Sequence, residues 1–363
     1  MVSQLPTNDN CSRCELHDVT IGVPTYKRPE MLEEALQSLV SQTQVPRIIV
    51  HDNCEMGSAA AVCQKFPQVH YRKNHQNLGA MGNFISLARA CNTKYFGWLQ
   101  DDDVLFPNYV EEVRRCLAMR QEISCVLAYA LHTRRLDRVD RLSTPLYGPP
   151  GSANWVAGTP EFLPPGSILP WCLVRSVGFS PVAMFQRKRL LQALLETEHS
   201  DFGIFSERAI ISSLSVCGTF GVIPKILGIW RRHDLSASND FLREAQSDGA
   251  ANYRRTLKNL EDFIDSKSFS VDLDVLERFC RELEREQVED VTAFYSTSMN
   301  FQTDLGKRVF QICRNVLGLM SALPKEPPPI TTAMMIKKRT RLLAWEVLPP
   351  FVAKMIQRVV RSK

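Results

Sequence analysis

The chain has 363 residues, of which 44% are hydrophobic and 23% charged, a composition typical of folded globular proteins that excludes global disorder. Residues 330–363 hold eight Lys or Arg and one acid, a net charge of +7, so the rest of the chain carries −2 within the total of +5. Because the basic charge is confined to the tail, a nucleic-acid partner for the whole protein is excluded.

Strand and helix signals alternate through the first 120 residues. Helices are expected to begin at Pro29, Asn77 and Pro107, since proline suits the first turn of a helix and asparagine suits its N-terminal cap. The alternation predicts a mostly parallel sheet with helices on both faces. The predicted strands span residues 19–23, 47–51, 69–72 and 95–99, and the helix capped by Asn77 runs to about Cys91.

Beyond residue 124 the pattern changes. A strand at 124–132 is followed by a Pro- and Gly-rich segment, 140–170, whose length is typical of a functional loop. A helix within 179–196 and a closing pair of strands, 219–223 and 225–230, are predicted next, and residues 250–322 have helical periodicity. The expected regions are a polar extension (1–17), an α/β domain (18–240, with halves 18–120 and 121–240), a helical region (241–323), and a Pro-rich linker with a basic amphipathic tail (324–363).

Polar residues follow three of the predicted strands. The first strand ends in Pro24-Thr25-Tyr26, the second in Asp52-Asn53, and the fourth in three consecutive aspartates, residues 101–103. Open α/β sheets bind their ligands at the carboxyl ends of parallel strands, so we expect these residues to share one site.

The aspartate run has two interpretations. Aspartate favours turns, so the run could be a solvated turn. Three adjacent carboxylates also repel one another, and a hard divalent cation such as Mg²⁺ or Mn²⁺ relieves that repulsion while keeping positions for water and phosphate oxygens. Beside the other strand ends, the run favours a metal site.

Two further features also have alternatives. Asp52 either caps the loop after its strand or accepts hydrogen bonds from a nucleotide. Asn77 and Gly79 open a helix whose N-terminus attracts phosphate, although close packing of small residues explains the glycines equally well.

Four segments in order resemble the nucleotide-binding half of family 2 glycosyltransferases, which are inverting enzymes with the GT-A fold: VTIGVPTYKRPEMLEEALQSLVSQT, IIVHDN, NLGAMGNFISLARA and YFGWLQDDDVLFPNYV. Their order and spacing carry the resemblance, which is strong over residues 18–120 and weaker to about residue 235. It implies a GT-A-type α/β domain with a mostly parallel central sheet, followed here by a helical C-terminal region. It also implies a nucleotide-sugar donor and Mn²⁺ or Mg²⁺.

The resemblance also implies roles for individual residues. Pro24, Thr25 and Tyr26 would line the nucleotide, and Asp52 would contact its base. The family's D-x-D-D run would begin at Gln100, so this chain departs from the pattern there. The three aspartates fill the remaining positions: one would contact the ribose and one or two the metal, and we assign Asp101 to the ribose and Asp102 and Asp103 to the metal.

The second half resembles the family more loosely. The family's catalytic acid precedes a glycine by about three helical turns, and Glu207 has this spacing from Gly218, with Asp201 as a second candidate. The usual pair of residues is Glu-Asp, whereas this chain has Ser206-Glu207. In the run WRRH, which resembles the family's Tyr-Arg-x-His, His233 would lie near the diphosphate, although a lone histidine at a strand end is often a solvent-facing residue.

These features together predict a metal-dependent, inverting transfer of sugar to a hydroxyl group of a saccharide or lipid-linked acceptor, in polysaccharide or glycolipid synthesis. A sugar nucleotidyltransferase would carry a Gly-rich loop after the first strand, and a nicotinamide dehydrogenase would carry G-x-G-x-x-G there; PTYKRPE has neither. A catalytically silent protein that binds nucleotide-sugars stays an alternative, and so does a sugar nucleotidyltransferase, despite the missing glycines.

The termini and the cysteines bear on location. The first 18 residues are polar and lack the apolar segment of a secretory signal, and the 11 cysteines are an odd number scattered along the chain. Free thiols in a reducing compartment explain this pattern, so we expect a cytoplasmic protein. The basic, apolar and Pro-interrupted tail, residues 330–363, suits either an anionic membrane surface on the inner face or packing on the body.

Overall fold

The computed structural model describes residues 18–133, 141–143, 159–174, 181–231, 233, 249–267, 277, 307–309 and 311–312. The strands are β1 (Val19–Thr25), β2 (Arg47–Asp52), β3 (Val69–Lys73), β4 (Tyr95–Trp98), β5 (Val104–Leu105), β6 (Ile123–Thr133), β7 (Arg141–Ser143), β8 (Glu161–Leu163), β9 (Ala183–Gln186) and β10 (Thr219–Arg231). The helices are α1 (Pro29–Val40), α2 (Ala60–Cys63), α3 (Gly79–Ala90), α4 (Tyr109–Met119), α5 (Leu169–Val174), α6 (Arg187–Thr197), α7 (Ser206–Cys217) and α8 (Gly249–Asp265).

The strands form one sheet in the order β3-β2-β1-β4-β9-β6-β10-β5, with β7 beside β6 and β8 beside β10. The pairs β1–β2, β2–β3, β1–β4 and β6–β10 are parallel. Because β9 is antiparallel to both β4 and β6, these two flanking strands point the same way. The predicted α/β fold with a mostly parallel sheet is confirmed.

Each face of the sheet carries its own buried apolar cluster. Along β6, Cys125, Leu127 and Tyr129 belong to one cluster, and Val126 and Ala128 belong to the other, as the alternation of side chains in a strand requires. The first cluster also contains buried residues of α3, α6, α7 and α8, and the second contains those of α1, α2 and α4. The sheet is therefore the middle layer between two layers of helices.

A stripe of buried leucines accounts for the position of the first helix. Pro29 occupies the first turn of α1, and Leu32, Leu36 and Leu39 are fully buried against the sheet. Burying side chains of this size stabilises the fold by about 2 kcal/mol each. This packing fixes the loop between β1 and α1, which borders the site described below.

Two predictions about elements were wrong in detail, and one strand was not predicted. The helix expected within 179–196 is present from Arg187, and the unpredicted strand β9 precedes it at residues 183–186. The expected closing pair is one strand, β10, whose pairing with β6 shifts register between Val222 and Ile226 and so accommodates Pro224. Asn77 does not occupy the cap position of α3, which is Leu78, although its Oδ1 accepts a hydrogen bond from the Gly79 amide at 2.9 Å.

The helical prediction for residues 250–322 is met by α8 where the structure describes the chain. Most of the 140–170 segment, the N-terminal extension and the basic tail lie outside the described residues. Among the described helices, none combines the length and the apolar character needed to cross a membrane.

Candidate active site

The site lies where the strand order reverses direction. β1 pairs with β2 on one side and with β4 on the other, so the crevice at their carboxyl ends is the topological switch point of the sheet. Thr25 is in register with Asp52 across β1 and β2, and its Oγ1 donates a hydrogen bond to Asp101 Oδ2 at 2.7 Å. The structure therefore brings together the polar ends of β1 and β4, as the sequence predicts.

The three aspartates are almost completely buried: Asp101 and Asp103 are 0% exposed and Asp102 is 5% exposed. Burial raises the pKa of Asp101 to about 7, against the opposing effect of the Arg28 guanidinium. Burial and the neighbouring Asp102 carboxylate raise the pKa of Asp103 well above its ordinary value. A solvated turn would not produce these shifts, so the burial favours the metal-site interpretation of the run.

Arg28 is the main cation of the cluster, and the sequence reasoning missed it. Its Nη2 lies 2.6 Å from Asp101 Oδ1, and its Nη1 lies 2.8 Å from Asp102 Oδ2. The side chain remains 22% exposed, at the border of the crevice. The signal that could have identified it is a basic pair, Lys27 and Arg28, in the short loop directly after β1.

The far end of β10 supplies two more contacts. The backbone N–H of Arg231 donates to Asp103 Oδ1 at 2.9 Å, and His233 Nε2 lies 2.8 Å from Asp102 Oδ2. Since a carboxylate oxygen only accepts, the histidine carries its proton on Nε2. His233 was predicted to lie near a diphosphate, and the structure places it against the aspartate assigned to the metal.

The aspartates fit a divalent cation. Within the described part of the chain, Asp102 Oδ1 and Asp103 Oδ2 are buried and have no hydrogen-bond partner. Buried polar atoms are normally satisfied, so these two oxygens point to an ion. No group of three or more His, Cys, Asp or Glu residues arranged to hold a metal occurs among the described residues. The protein would thus supply one or two carboxylates, as is usual for Mg²⁺ and Mn²⁺ bound with phosphate.

Asp52 lies at the end of β2 and is fully buried. Its Oδ1 accepts the Cys54 amide at 2.8 Å, and its Oδ2 accepts the Ala59 amide at 2.9 Å and the Tyr71 hydroxyl at 3.2 Å. These contacts match the loop-capping interpretation. The predicted contact with a nucleotide base stays a prediction.

A network of buried amides that the sequence did not reveal holds the start of α3. Asn74 Nδ2 donates to Asn53 Oδ1 at 2.8 Å and to Asn83 Oδ1 at 2.9 Å, and Asn53 Nδ2 donates to the Gly79 carbonyl at 2.9 Å. Gly79 has φ +71°, and a side chain there would meet nothing within 4 Å, so close packing does not explain this glycine. The predicted phosphate contacts of Asn77 and Gly79 stay predictions.

Pro24 and Tyr26 flank Thr25 differently. Pro24 is buried in β1, beyond the last residue of β1 that pairs with β4. The backbone N–H that proline lacks is therefore not needed for pairing with β4. Tyr26 is 42% exposed and carries Lys27 Nζ at 4.9 Å from its ring centroid. The exposed ring is free to contact a ligand in the crevice.

The two candidate bases lie near the start of α7. This helix ends at Cys217, just before β10 begins, so it runs back across the sheet and its first turn lies on the side of the strands' carboxyl ends. Glu207 is half-buried in that first turn. Asp201 precedes it, is 54% exposed, and forms an ion pair with Arg255 at 2.6 Å.

Residues 20–130 match the model of glycosyl transferase family 2. An uncharacterized glycosyltransferase of Rickettsia bellii (strain RML369-C) is 30% identical over 97 residues, which are 26% of this chain and only 14% of the relative.

Two solved structures have a loosely similar shape. TarS 1-349 of S. aureus has 12% identity and a TM-score of 0.47, and the similarity covers 83% of this chain and 88% of that one. The mannosyltransferase PcManGT of Pyrobaculum calidifontis, solved with GDP-Man and Mn²⁺, has 12% identity and a TM-score of 0.42, over 83% and 85%. Scores this low carry no conclusion about this chain. The chain is similar to glycosyl transferase family 2 over residues 20–130, a stretch that includes Arg28 and the three aspartates.

Proposed function

We propose that the protein is a glycosyltransferase that moves a sugar from a nucleotide-sugar donor to a hydroxyl group of a saccharide or lipid-linked acceptor. The observation that carries the proposal is the set of three buried aspartates at the switch point, with two carboxylate oxygens that lack hydrogen-bond partners among the described residues. The family 2 match over the same residues supports the reaction class.

The donor would lie in the crevice at the ends of β1, β2 and β4, with Asp102 and Asp103 as metal ligands. When bound, Mn²⁺ or Mg²⁺ would supply charge stabilisation for the diphosphate leaving group. Asp101 would hold the ribose, and His233 would lie beside the diphosphate. The remaining nucleotide contacts are assigned to Pro24, Thr25, Tyr26, Asp52, Asn77 and Gly79.

The transfer would be a single inverting displacement. It needs a carboxylate that takes the proton from the acceptor hydroxyl, on the face opposite the leaving group. The aspartates of the switch point are committed to the leaving-group side, so the base must come from the second half of the domain. We assign this role to Glu207, because it is half-buried in the first turn of α7, on the side of the strands' carboxyl ends, whereas the side chain of Asp201 is 54% exposed.

A catalytically silent binding protein is the second candidate, because Ser206-Glu207 replaces the family's usual Glu-Asp pair. Such a protein would bind the same donors and would release no nucleoside diphosphate.

Donor binding can be tested by thermal unfolding with UDP-, GDP- and dTDP-sugars, each with and without Mn²⁺. A ligand that binds only the folded state at a hundred times its dissociation constant stabilises by about 2.7 kcal/mol, which raises Tm by about 5 °C or more. We expect one nucleotide class to give this shift, and only with Mn²⁺. The absence of a shift with every donor would contradict the proposal.

For the other regions, we propose that residues 18–240 form the transferase domain and 241–323 a helical region, and that the tail after the 324–329 linker binds an anionic surface on the cytoplasmic face of a membrane. The tail's charge supports this, since each Lys or Arg near such a surface contributes about 1 kcal/mol.

Flotation of the whole chain with anionic and neutral vesicles tests the tail's role. Replacing Lys337, Lys338, Arg339 and Arg341 by Gln should lower binding to anionic vesicles by about 10-fold or more. Equal flotation of the unmodified protein and this variant would show that the basic residues of the tail do not bind the membrane surface.

A further inference from the structure

Arg28 forms ion pairs with two aspartates of the proposed site: Asp101, which we assign to the donor's ribose, and Asp102, which we assign to the metal. It contacts Asp101 at 2.6 Å and Asp102 at 2.8 Å. Removing the cation from a buried carboxylate pair leaves uncompensated charge, which is strongly destabilising. In the metal-free protein, Arg28 therefore supplies much of the charge compensation that a divalent cation would supply in the loaded one.

The position of Arg28 allows it to change partners. It lies in the short loop between β1 and α1, directly after Lys27, whose φ of +56° marks a turn. Its side chain is 22% exposed, whereas its two partners are buried, so Arg28 lies at the border between the buried carboxylates and solvent. Its planar set of donors suits phosphate oxygens as well as carboxylates.

We propose that Arg28 is a positioning residue that exchanges partners: it holds Asp101 and Asp102 in the empty site and moves to the donor's diphosphate when metal and donor bind. This inference rests on the proposed function. It makes metal binding conditional on the donor, because a divalent cation arriving alone meets a guanidinium already bonded to one of its ligands. With a diphosphate present, the displaced guanidinium gains a new anionic partner.

The consequence is a coupling between two ligands. Mn²⁺ alone should bind weakly, and a diphosphate should strengthen its binding beyond the direct attraction between the two, with Arg28 as the carrier of the excess. His233 also donates to Asp102 Oδ2, at 2.8 Å, and lies 3.3 Å from Arg28 Nη1. It would keep that oxygen satisfied when the arginine leaves.

The test is titration with Mn²⁺ alone, in which electron paramagnetic resonance measures the free ion. Arg28→Gln should bind Mn²⁺ about 10-fold more tightly than the unmodified protein, because the competing cation is gone. Arg47→Gln is the matched control, because it removes the same charge at the amino end of β2, at the opposite end of the strands from the aspartates. In the described hydrogen bonds the Arg47 side chain contacts only Asn92, so this variant should have unchanged Mn²⁺ affinity.

A second measurement follows the coupling by thermal unfolding with Mn²⁺, with pyrophosphate and with both. The unmodified protein should gain most of its stabilisation only with both ligands. Arg28→Gln should gain most of it with Mn²⁺ alone and little more from pyrophosphate. Arg28→Lys keeps one charge but loses the fork, so it should bind Mn²⁺ with an affinity between the other two, and it decides the matter if Arg28→Gln does not fold.

Equal or weaker Mn²⁺ binding by the folded Arg28 variants, alongside measurable binding by the unmodified protein, would overturn the exchange and leave the proposed function intact. If neither the unmodified protein nor any Arg28 variant binds Mn²⁺ alone below about 10 mM, the exchange is overturned. The metal dependence of the proposed function is then decided separately, by the donor-dependent thermal shift with and without Mn²⁺.

Discussion

Replacing Asp102 and Asp103 together with asparagine is expected to abolish Mn²⁺-dependent donor binding and to lower the rate of sugar transfer by about 1,000-fold or more. The physical reason is loss of charge: amides bind a divalent cation far more weakly than carboxylates do. The substitution preserves shape, so the amide oxygens of the two introduced side chains can still accept from Arg28, from His233 and from the Arg231 backbone N–H, the donors that now contact the two aspartates.

The fold should survive this double substitution. Burial and mutual repulsion raise the pKa of Asp103, so removing two carboxylates relieves an unfavourable interaction and should not lower the metal-free Tm. Glu33→Gln, a change in an exposed carboxylate that pairs with Lys65, serves as the control and should behave like the unmodified protein. An unaltered Mn²⁺-dependent thermal shift in the double variant would show that the metal, if any, binds elsewhere.

Glu207→Gln is expected to lower the transfer rate by about 10²–10⁴-fold while the donor-dependent thermal shift remains. Glutamine keeps the size and polarity of the side chain but cannot take a proton from the acceptor hydroxyl. Because the carboxylate lies in the first turn of α7, a different element from the aspartate run that follows β4, donor binding should be unaffected. Rates under saturating donor, together with Tm values, measure both properties.

Asp201→Asn is the matched comparison. Asp201 is exposed and forms an ion pair with Arg255. Exposed ion pairs contribute little to the stability of the fold, so replacing Asp201 should leave the transfer rate within about 2-fold of that of the unmodified protein. The reverse pattern, with an active Glu207→Gln and an inactive Asp201→Asn, would assign the base to Asp201. Full activity in both variants would remove both residues from the mechanism.

The strands around the switch point could be predicted because short-range signals define them. β1 and β4 are apolar runs followed at once by polar residues, and Pro29 begins α1 as its sequence indicates. Once the strands are parallel, geometry alone brings Thr25 to Asp101. This part of the site follows from local sequence and one rule of sheet topology.

Other features depend on contacts that no local pattern contains. Arg28 joins Asp101 and Asp102 across more than seventy residues of chain, and a basic residue in a loop is usually solvated. In the sequence, Pro224 indicates a break between two strands. In the structure, a shift in the register of pairing lets β10 continue through this proline. β9 has only four residues and is followed directly by α6. Its two-residue periodicity therefore covers too few residues to be distinguished from the sequence pattern of the helix.

The most direct test of the account is the release of nucleoside diphosphate from the donor that gives the thermal shift, followed by chromatography with purified protein, Mn²⁺ and a saccharide or lipid-linked acceptor. We expect release that requires the metal, rises with acceptor, and falls by about 1,000-fold or more when Asp102 and Asp103 are replaced by asparagine. A donor that binds with Mn²⁺ but stays intact with and without acceptor would contradict catalysis and leave a binding protein.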